Sequence, residues 1–258
     1  MISKNSEERQ MIKIFGLTKV PLIERGHSIG DLIVKSAREE GIQIRTGDVI
    51  VVAEKIVSKA EGNVVHLRSI TPSFKAQAIA KESGKDPEHV EAILRETANI
   101  VKMKGPHIIV ETRHGFVCAN AGVDRSNVPD QNSVALLPTD PDRSARQIRQ
   151  RLKELTRADV AVIVSDTFGR AWRNGQVNVA IGVDGMEPLV DYRGKKDMFG
   201  YVLNVTQMAV ADELASAAEL VMKKSSGIPV AIIRGFDLIA GKGSAKDLIR
   251  PREEDLFR

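Results

Sequence analysis

The sequence predicts an α+β fold: a mixed sheet with hairpins and packed helices, arranged as two tightly associated subdomains. Three observations predict it. Short apolar runs of strand length, VIVVA and ADVAVIV among them, are interleaved with segments of helical periodicity. Some connections are hairpin turns, as around Arg113, His114 and Gly115, which a simple doubly wound sheet does not use. No repeat, low-complexity tract or Gly/Pro-rich linker divides the chain, so residues 11–250 are expected to form one unit with polar tails at 1–10 and 251–258.

The elements follow in order. Met11 to Leu17 is a short apolar segment after a polar start expected to fray. Ser28 with Asp31 resembles a capping box with Asp in place of Glu, and Ile29, Leu32, Ile33 and Ala37 continue at helical spacing to Gly41. TGDVIVVAEKIVSKAEG reads as a turn, a buried strand from Val49 to Ala53 and a polar segment carrying Glu54, Lys55 and Lys59. One helix is predicted from about Pro72 to Ser83. Another starts near Asp86, with Pro87 at its first position. HIIVETRHGFVCANAG is a hairpin ending in a loop with Asp124, Ser126 and Asn127, and SVALLP is another strand. DPDRSARQIRQRLKELT is an amphipathic helix with Ile148, Leu152 and Leu155 on one face. Strand ADVAVIV then delivers the polar segment SDTFGRAWRNGQ. VNVAIGVDGMEPLVDY reads as strand, Asp-Gly turn and strand, followed by a helix over roughly Val205 to Lys223 and a last strand in IPVAIIRG.

Composition narrows the function. A net charge of +4 and a pI of about 9.1 favour small anionic partners. Aromatic content of 4% without basic–aromatic stripes argues against nucleic acid. The single cysteine, Cys118, excludes an internal disulfide and a cysteine-built zinc site, and a reducing cytoplasmic setting is expected. No apolar run has the roughly 20 residues that cross a bilayer, and the N-terminus has no signal-peptide core.

Walker, dinucleotide-fold and kinase signatures are absent, and GKGS at residues 241–244 reads as a tail turn. Three polar stretches after strands stand out: Lys55 with Lys59, Asp124 with Asn127, and Asp166 with Thr167, Arg170 and Arg173. If their strands share a sheet, they converge at one edge. Two aspartates and a hydroxyl are hard-oxygen ligands suited to Mg²⁺ or Mn²⁺, and the cations around them suit phosphate or carboxylate oxygens. Each has a plainer reading: Asp124 as a turn residue, Asp166-Thr167 as the cap of a following turn, the lysines as a solvated face. The five histidines lack metal-ligand spacing, and Cys118 reads as core.

VPLIERG, GDVIVVAEKIVSKAEG, NAGVDRSN, SDTFGRAWRNG, AIGVDG, GKKDMFG, VADELASAAELVM and GIPVAIIRG, in this order over about residues 14–245, closely resemble the coenzyme F(420) γ-glutamyl ligases. The resemblance implies a cytoplasmic homodimer of α+β fold that joins L-glutamate to the lactyl carboxylate of a deazaflavin coenzyme precursor. It further implies that GTP is hydrolysed, that a second, γ-linked glutamate follows, and that two divalent ions (Mg²⁺ or Mn²⁺) and K⁺ are used. By the same resemblance Val20, Pro21, Leu22 and Ile23 line the GTP site, and Glu54, Lys55, Lys59 and Asn127 contact the nucleotide. Asp124 and Asp166 look like ligands of the first divalent ion and Thr167 like a ligand of the second. The loop after Met222 is implied at the nucleotide too, but it reads Lys223-Lys224-Ser225 where a Gly-Glu pair is expected.

The expected chemistry is an acyl phosphate formed from the substrate carboxylate and the γ-phosphate, then displaced by the glutamate amine. Lys55 and Arg170, with Lys59, would offset the mutual repulsion of three anions. No protein nucleophile is needed. A metal-dependent nucleotide phosphohydrolase is the alternative enzyme, and a non-catalytic nucleotide- or deazaflavin-binding module is the third reading.

Overall fold

The computed structural model describes residues 11–128 and 130–256. The polar stretch expected at 1–10 lies outside the described residues. In chain order the elements are β1 (Lys13–Gly16), α1 (Ile29–Glu39), β2 (Val49–Ala53), α2 (Glu54–Glu61), β3 (Val64–His66), α3 (Phe74–Ser83) and α4 (Pro87–Arg95). They continue with β4 (Thr97–Lys104), β5 (His107–Thr112), β6 (Val117–Ala119), β7 (Ser133–Ala135), α5 (Pro141–Thr156) and β8 (Ala161–Arg170). The last are β9 (Arg173–Asp184), β10 (Val190–Asp191), β11 (Gln207–Met208), α6 (Val210–Met222) and β12 (Val230–Arg234).

A five-stranded mixed sheet, ordered β1-β12-β2-β8-β9, organises the molecule. Its one parallel pair is β2 with β8, and the other neighbours are antiparallel. The unbroken apolar runs of β2 and β8 follow from coverage on both faces. Ile50, Val52, Val162 and Val164 point into a core shared with α1 and α5. Val49, Val51, Ala161 and Ile163 point the other way, against α6. A third cluster joins α3 and α4 to Ile108 and Val110 of the separate β4-β5-β6 sheet. Mixed sheets, hairpins and packed helices make the fold α+β, as expected.

Several local expectations change. Ser28 caps α1 by accepting the Asp31 N–H, but the Asp31 carboxylate is drawn to Arg151 of α5 (Nη2–Oδ1 2.8 Å), so the box is half made. The polar segment after β2 is not a loop: α2 starts at Glu54 at once, ends at Glu61 and is capped by Gly62, whose φ of 81° is the left-handed conformation glycine adopts without strain. SDTFGRAWRNGQ is a hairpin, because β8 runs on to Arg170 and pairs with β9 through Thr167↔Asn178 and Phe168↔Val177. Asp166 and Thr167 therefore lie within a strand and cap no turn. The strand after Asp184-Gly185 does not fold back on β9. Instead Val190–Asp191 pairs with β11, which occupies part of the stretch expected to be helical, and α6 begins at Val210. Strand β4 escaped the sequence reading, since its register slips twice against β5 and blurs the alternation.

Candidate active site

The parallel pairing of β2 and β8 sets Ala53 opposite Ser165, so Glu54 and Asp166 leave the same edge of the sheet together. Two of the three polar stretches thus converge through a shared sheet. The third arrives differently: Asp124 follows β6, and its backbone pairs with Ala135 through Asp124 N–H to Ala135 O at 3.0 Å and Ala135 N–H to Asp124 O at 2.9 Å. Lys55 Nζ closes the set by donating to Asp124 Oδ2 at 2.6 Å. Asp124 Oδ1 accepts the Ser126 N–H at 2.8 Å, so its plain turn role and its charge role coexist.

These groups open into a cavity of about 690 Å³. Val20, Pro21, Leu22 and Ile23 form one wall; Glu54, Lys55 and Lys59 of α2 form another. Asp124 and Asn127, Asp166 and Thr167, and the turn of Met222, Lys223, Lys224 and Ser225 complete it. Arg170 does not line it. That guanidinium lies near the hairpin tip and donates to Asn174 O at 2.5 Å, and Arg173 is likewise outside the cavity wall.

Charge in the cavity is unevenly satisfied. Glu54 is 6% exposed and has only distant partners, Ser58 Oγ at 3.5 Å and Lys55 Nζ at 3.7 Å. Burial, then the nearby Asp166 charge, pushes its carboxyl up to about 8. Burial likewise raises Asp166 to about 6, against the Thr167 N–H it accepts at 2.6 Å and the charges of Lys55 and Lys224. For Asp124, burial is outweighed by hydrogen bonds from Lys55 and Ser126, which hold it below the usual carboxylate range. Burial and the neighbouring Lys55 charge lower the Lys59 ammonium. Cys118 is buried, and its thiol is pushed up to about 12, which suits a core residue and not a nucleophile.

Whether these residues fit a metal ion turns on their donors. Among the described residues no group of three His, Cys, Asp or Glu is spaced to hold one ion. Asp124 and Asp166 together still offer carboxylate oxygens. Beside them, the buried Asn120 Oδ1 and Ser165 Oγ have no hydrogen-bond partner among the described residues. Hard oxygens, a carboxyl raised by burial and unfilled acceptors fit one divalent cation at Asp124 and Asp166. At Thr167 the fit fails: Asp124 faces the Lys55 ammonium with a carboxylate, whereas here an ammonium meets only neutral oxygens. The Lys224 ammonium contacts Thr167 Oγ1 and donates to Asn178 Oδ1 at 3.2 Å, and Thr167 Oγ1 lies 2.7 Å from the same oxygen.

Asn178, Gln176, Asn120 and Ser165 also line the cavity and are not singled out by the sequence, and Ser126, named there only as a loop residue, joins them. For Asn178 a signal existed: it is a lone amide inside the apolar run VNVAIGV, where a β-strand tolerates burial only with partners.

Comparison with known proteins places the chain in a family. Residues 18–235 match the model of the F(420)-0:Gamma-glutamyl ligase family. The chain is 49% identical to the coenzyme F(420):L-glutamate ligase of Methanothermobacter thermautotrophicus, over 96% of this chain and 99% of that one. It is 46% identical to the coenzyme F(420):L-glutamate ligase of Methanocaldococcus jannaschii, over 98% and 99%. With that of Archaeoglobus fulgidus the identity is 41%, over 96% of each chain. The chain belongs to the F(420)-0:Gamma-glutamyl ligase family.

Proposed function

We propose that the protein joins L-glutamate to the lactyl carboxylate of coenzyme F(420)-0, then adds a further γ-linked glutamate, with GTP as the energy source. The observation that carries this reading is the meeting of Asp124, Asp166, Lys55 and Lys59 in one cavity, with the 20–23 segment and the 222–225 turn as its walls. The family names of its relatives support the glutamyl transfer. GTP fits a cavity that holds lysines beside carboxylates and has no Walker loop.

In the reaction, a carboxylate oxygen of F(420)-0 attacks the γ-phosphorus, the bond to the bridging β–γ oxygen breaks, and GDP leaves. The glutamate amine nitrogen then attacks the acyl carbon, the phosphate leaves with its bonding electron pair, and the amine proton passes to solvent. Three anions must meet in this sequence. Lys55, itself only 13% exposed at the side chain, and Lys59 stand where phosphate oxygens would lie and oppose their repulsion. A divalent cation held by Asp124 and Asp166 would supply further positive charge there. Arg170 reaches the reactants only if the β8–β9 hairpin tip bends toward the cavity. K⁺ and a homodimer belong to the same proposal.

The test is isotope transfer. F(420)-0 carrying ¹⁸O in its lactyl carboxylate is incubated with L-glutamate, Mn²⁺ and either GTP or ATP. Glutamylated product with one ¹⁸O in the released phosphate, formed with GTP, is expected. Product without label transfer contradicts the acyl phosphate, and equal product with ATP contradicts guanine selection. Phosphate release independent of glutamate would make the protein a nucleotide phosphohydrolase.

A further inference from the structure

The turn after α6 puts a positive charge on oxygen atoms where a metal ion does not fit. Lys223 leaves the helix at φ 52° and ψ 173°, a left-handed φ uncommon for lysine, and the reversal aims Lys224 back at the sheet. There its ammonium meets Thr167 Oγ1 and lies 3.2 Å from Asn178 Oδ1. Those two residues are partners across the β8–β9 ladder. Asn178 is 4% exposed, so its carbonyl oxygen is a buried acceptor that must be filled, and it takes both the Thr167 hydroxyl and the Lys224 ammonium. The Lys224 charge also reaches the neighbouring Asp166, where it works against the rise that burial imposes on that carboxyl.

We infer that the Lys224 ammonium is the resident cation of the Thr167–Asn178 pair, so that nucleotide binds this protein with one divalent ion, the second position being served by a side chain. The inference rests on the proposed nucleotide site. It follows from occupancy and charge. Thr167 Oγ1 and Asn178 Oδ1 are the neutral oxygens at this position, and both already face an ammonium. A divalent ion added here would sit beside a like charge and find only neutral oxygens on Thr167 and Asn178, the adjacent Asp166 carboxylate being committed to the first ion. An ammonium presents three N–H donors, two directed at Thr167 and Asn178, and the third remains for a phosphate oxygen entering the cavity.

Protein-bound Mn²⁺ per bound nucleotide is counted by equilibrium dialysis with a non-hydrolysable imido analogue of GTP, using electron paramagnetic resonance to measure free Mn²⁺. Wild type and Lys224→Arg are expected to hold one Mn²⁺ per nucleotide. Lys224→Met and Lys224→Glu are expected to hold two, because the first removes the competing charge and the second adds a ligand. Two Mn²⁺ per nucleotide in the wild type overturns the inference and leaves the nucleotide site intact. One Mn²⁺ in every variant overturns it too, since Lys224 then excludes nothing. Failure of the wild type to retain the analogue overturns the nucleotide site itself.

Discussion

Strand β2 carries a buried carboxylate near each end, and the two have opposite surroundings. Asp48, just before the strand and 1% exposed, is clasped by Arg234, with Nε to Oδ1 and Nη2 to Oδ2 both at 2.7 Å, and it accepts the Arg45 N–H at 2.8 Å. Glu54, just after the strand and 6% exposed, has no partner closer than 3.5 Å among the described residues. At the first end β12 brings the matching cation as part of the sheet. At the second end the sheet brings another carboxylate, Asp166, beside it. A fold satisfies a buried charge where only folding is at stake. The unsatisfied end is where an exogenous cation and phosphate would complete the set, and sites of this kind are where perturbed carboxyls gather.

The sharpest way to break this comparison is at Asp166. Asp166→Asn is expected to lower glutamyl transfer by about a thousandfold or more, a loss of ~4 kcal/mol in transition-state stabilisation, while the melting temperature holds or rises. Product formed at the wild-type rate would remove Asp166 from the site.

Asp48→Ala should do the reverse. It leaves Arg234 without its carboxylate and should cost about 3 kcal/mol of stability. Chemical denaturation measures this, and the fraction that remains folded should turn over normally. A loss below ~1 kcal/mol would show that the satisfied end is not a clamp.

Protonation sharpens the contrast further. Glu54, raised to about 8, and Asp166, raised to about 6, keep protons in the folded state that the unfolded chain releases. The cation-free protein therefore loses stability as pH rises from the ordinary carboxylate range through those values. Glu54→Gln should flatten that decline, as followed by melting temperature against pH; an unchanged slope would contradict the burial argument. His89 runs the other way. Burial first, then the charges of Arg125 and Lys85, lowers it to about 4, so its contribution is lost as pH falls from 6.5 toward that value.

The smallest effect is expected at the hairpin tip. Arg170→Ala should slow turnover less than Lys55→Met, because Lys55 lines the cavity and Arg170 does not. A larger loss at Arg170 would show that the hairpin bends inward during the reaction.

Much of this was legible in the sequence where chemistry is local. VIVVA is a strand with the predicted bounds because its five residues are apolar without a break, and Ser28 and Pro87 mark their helices by capping chemistry. The charged residues of the cavity were legible through their types and the family resemblance; Asn120, Ser165, Gln176 and Asn178 were not. The hairpin was not. The end of β8 opens into the polar cavity, so Ser165, Asp166 and Thr167 are polar in succession, the alternation is lost and SDTFGR imitates a loop. The partnership of Lys224 with Asn178, 46 positions apart, also left no mark along the chain. It arises from the backbone reversal at Lys223, and only the folded molecule shows where that reversal points.

On the proposed reading, the Glu54–Asp166 end of β2 lacks a clasp like the one Arg234 gives Asp48 because a cation held by Asp124 and Asp166 completes it. The most direct measurement is the melting temperature at pH 8 without and with Mn²⁺, in the wild type and in Asp166→Asn. Mn²⁺ is expected to raise the wild-type value toward that of the cation-free protein at pH 5 and to leave Asp166→Asn nearly unmoved. An equal rise in both proteins would mean that the ion binds elsewhere and that the unpaired end of β2 awaits something other than a metal.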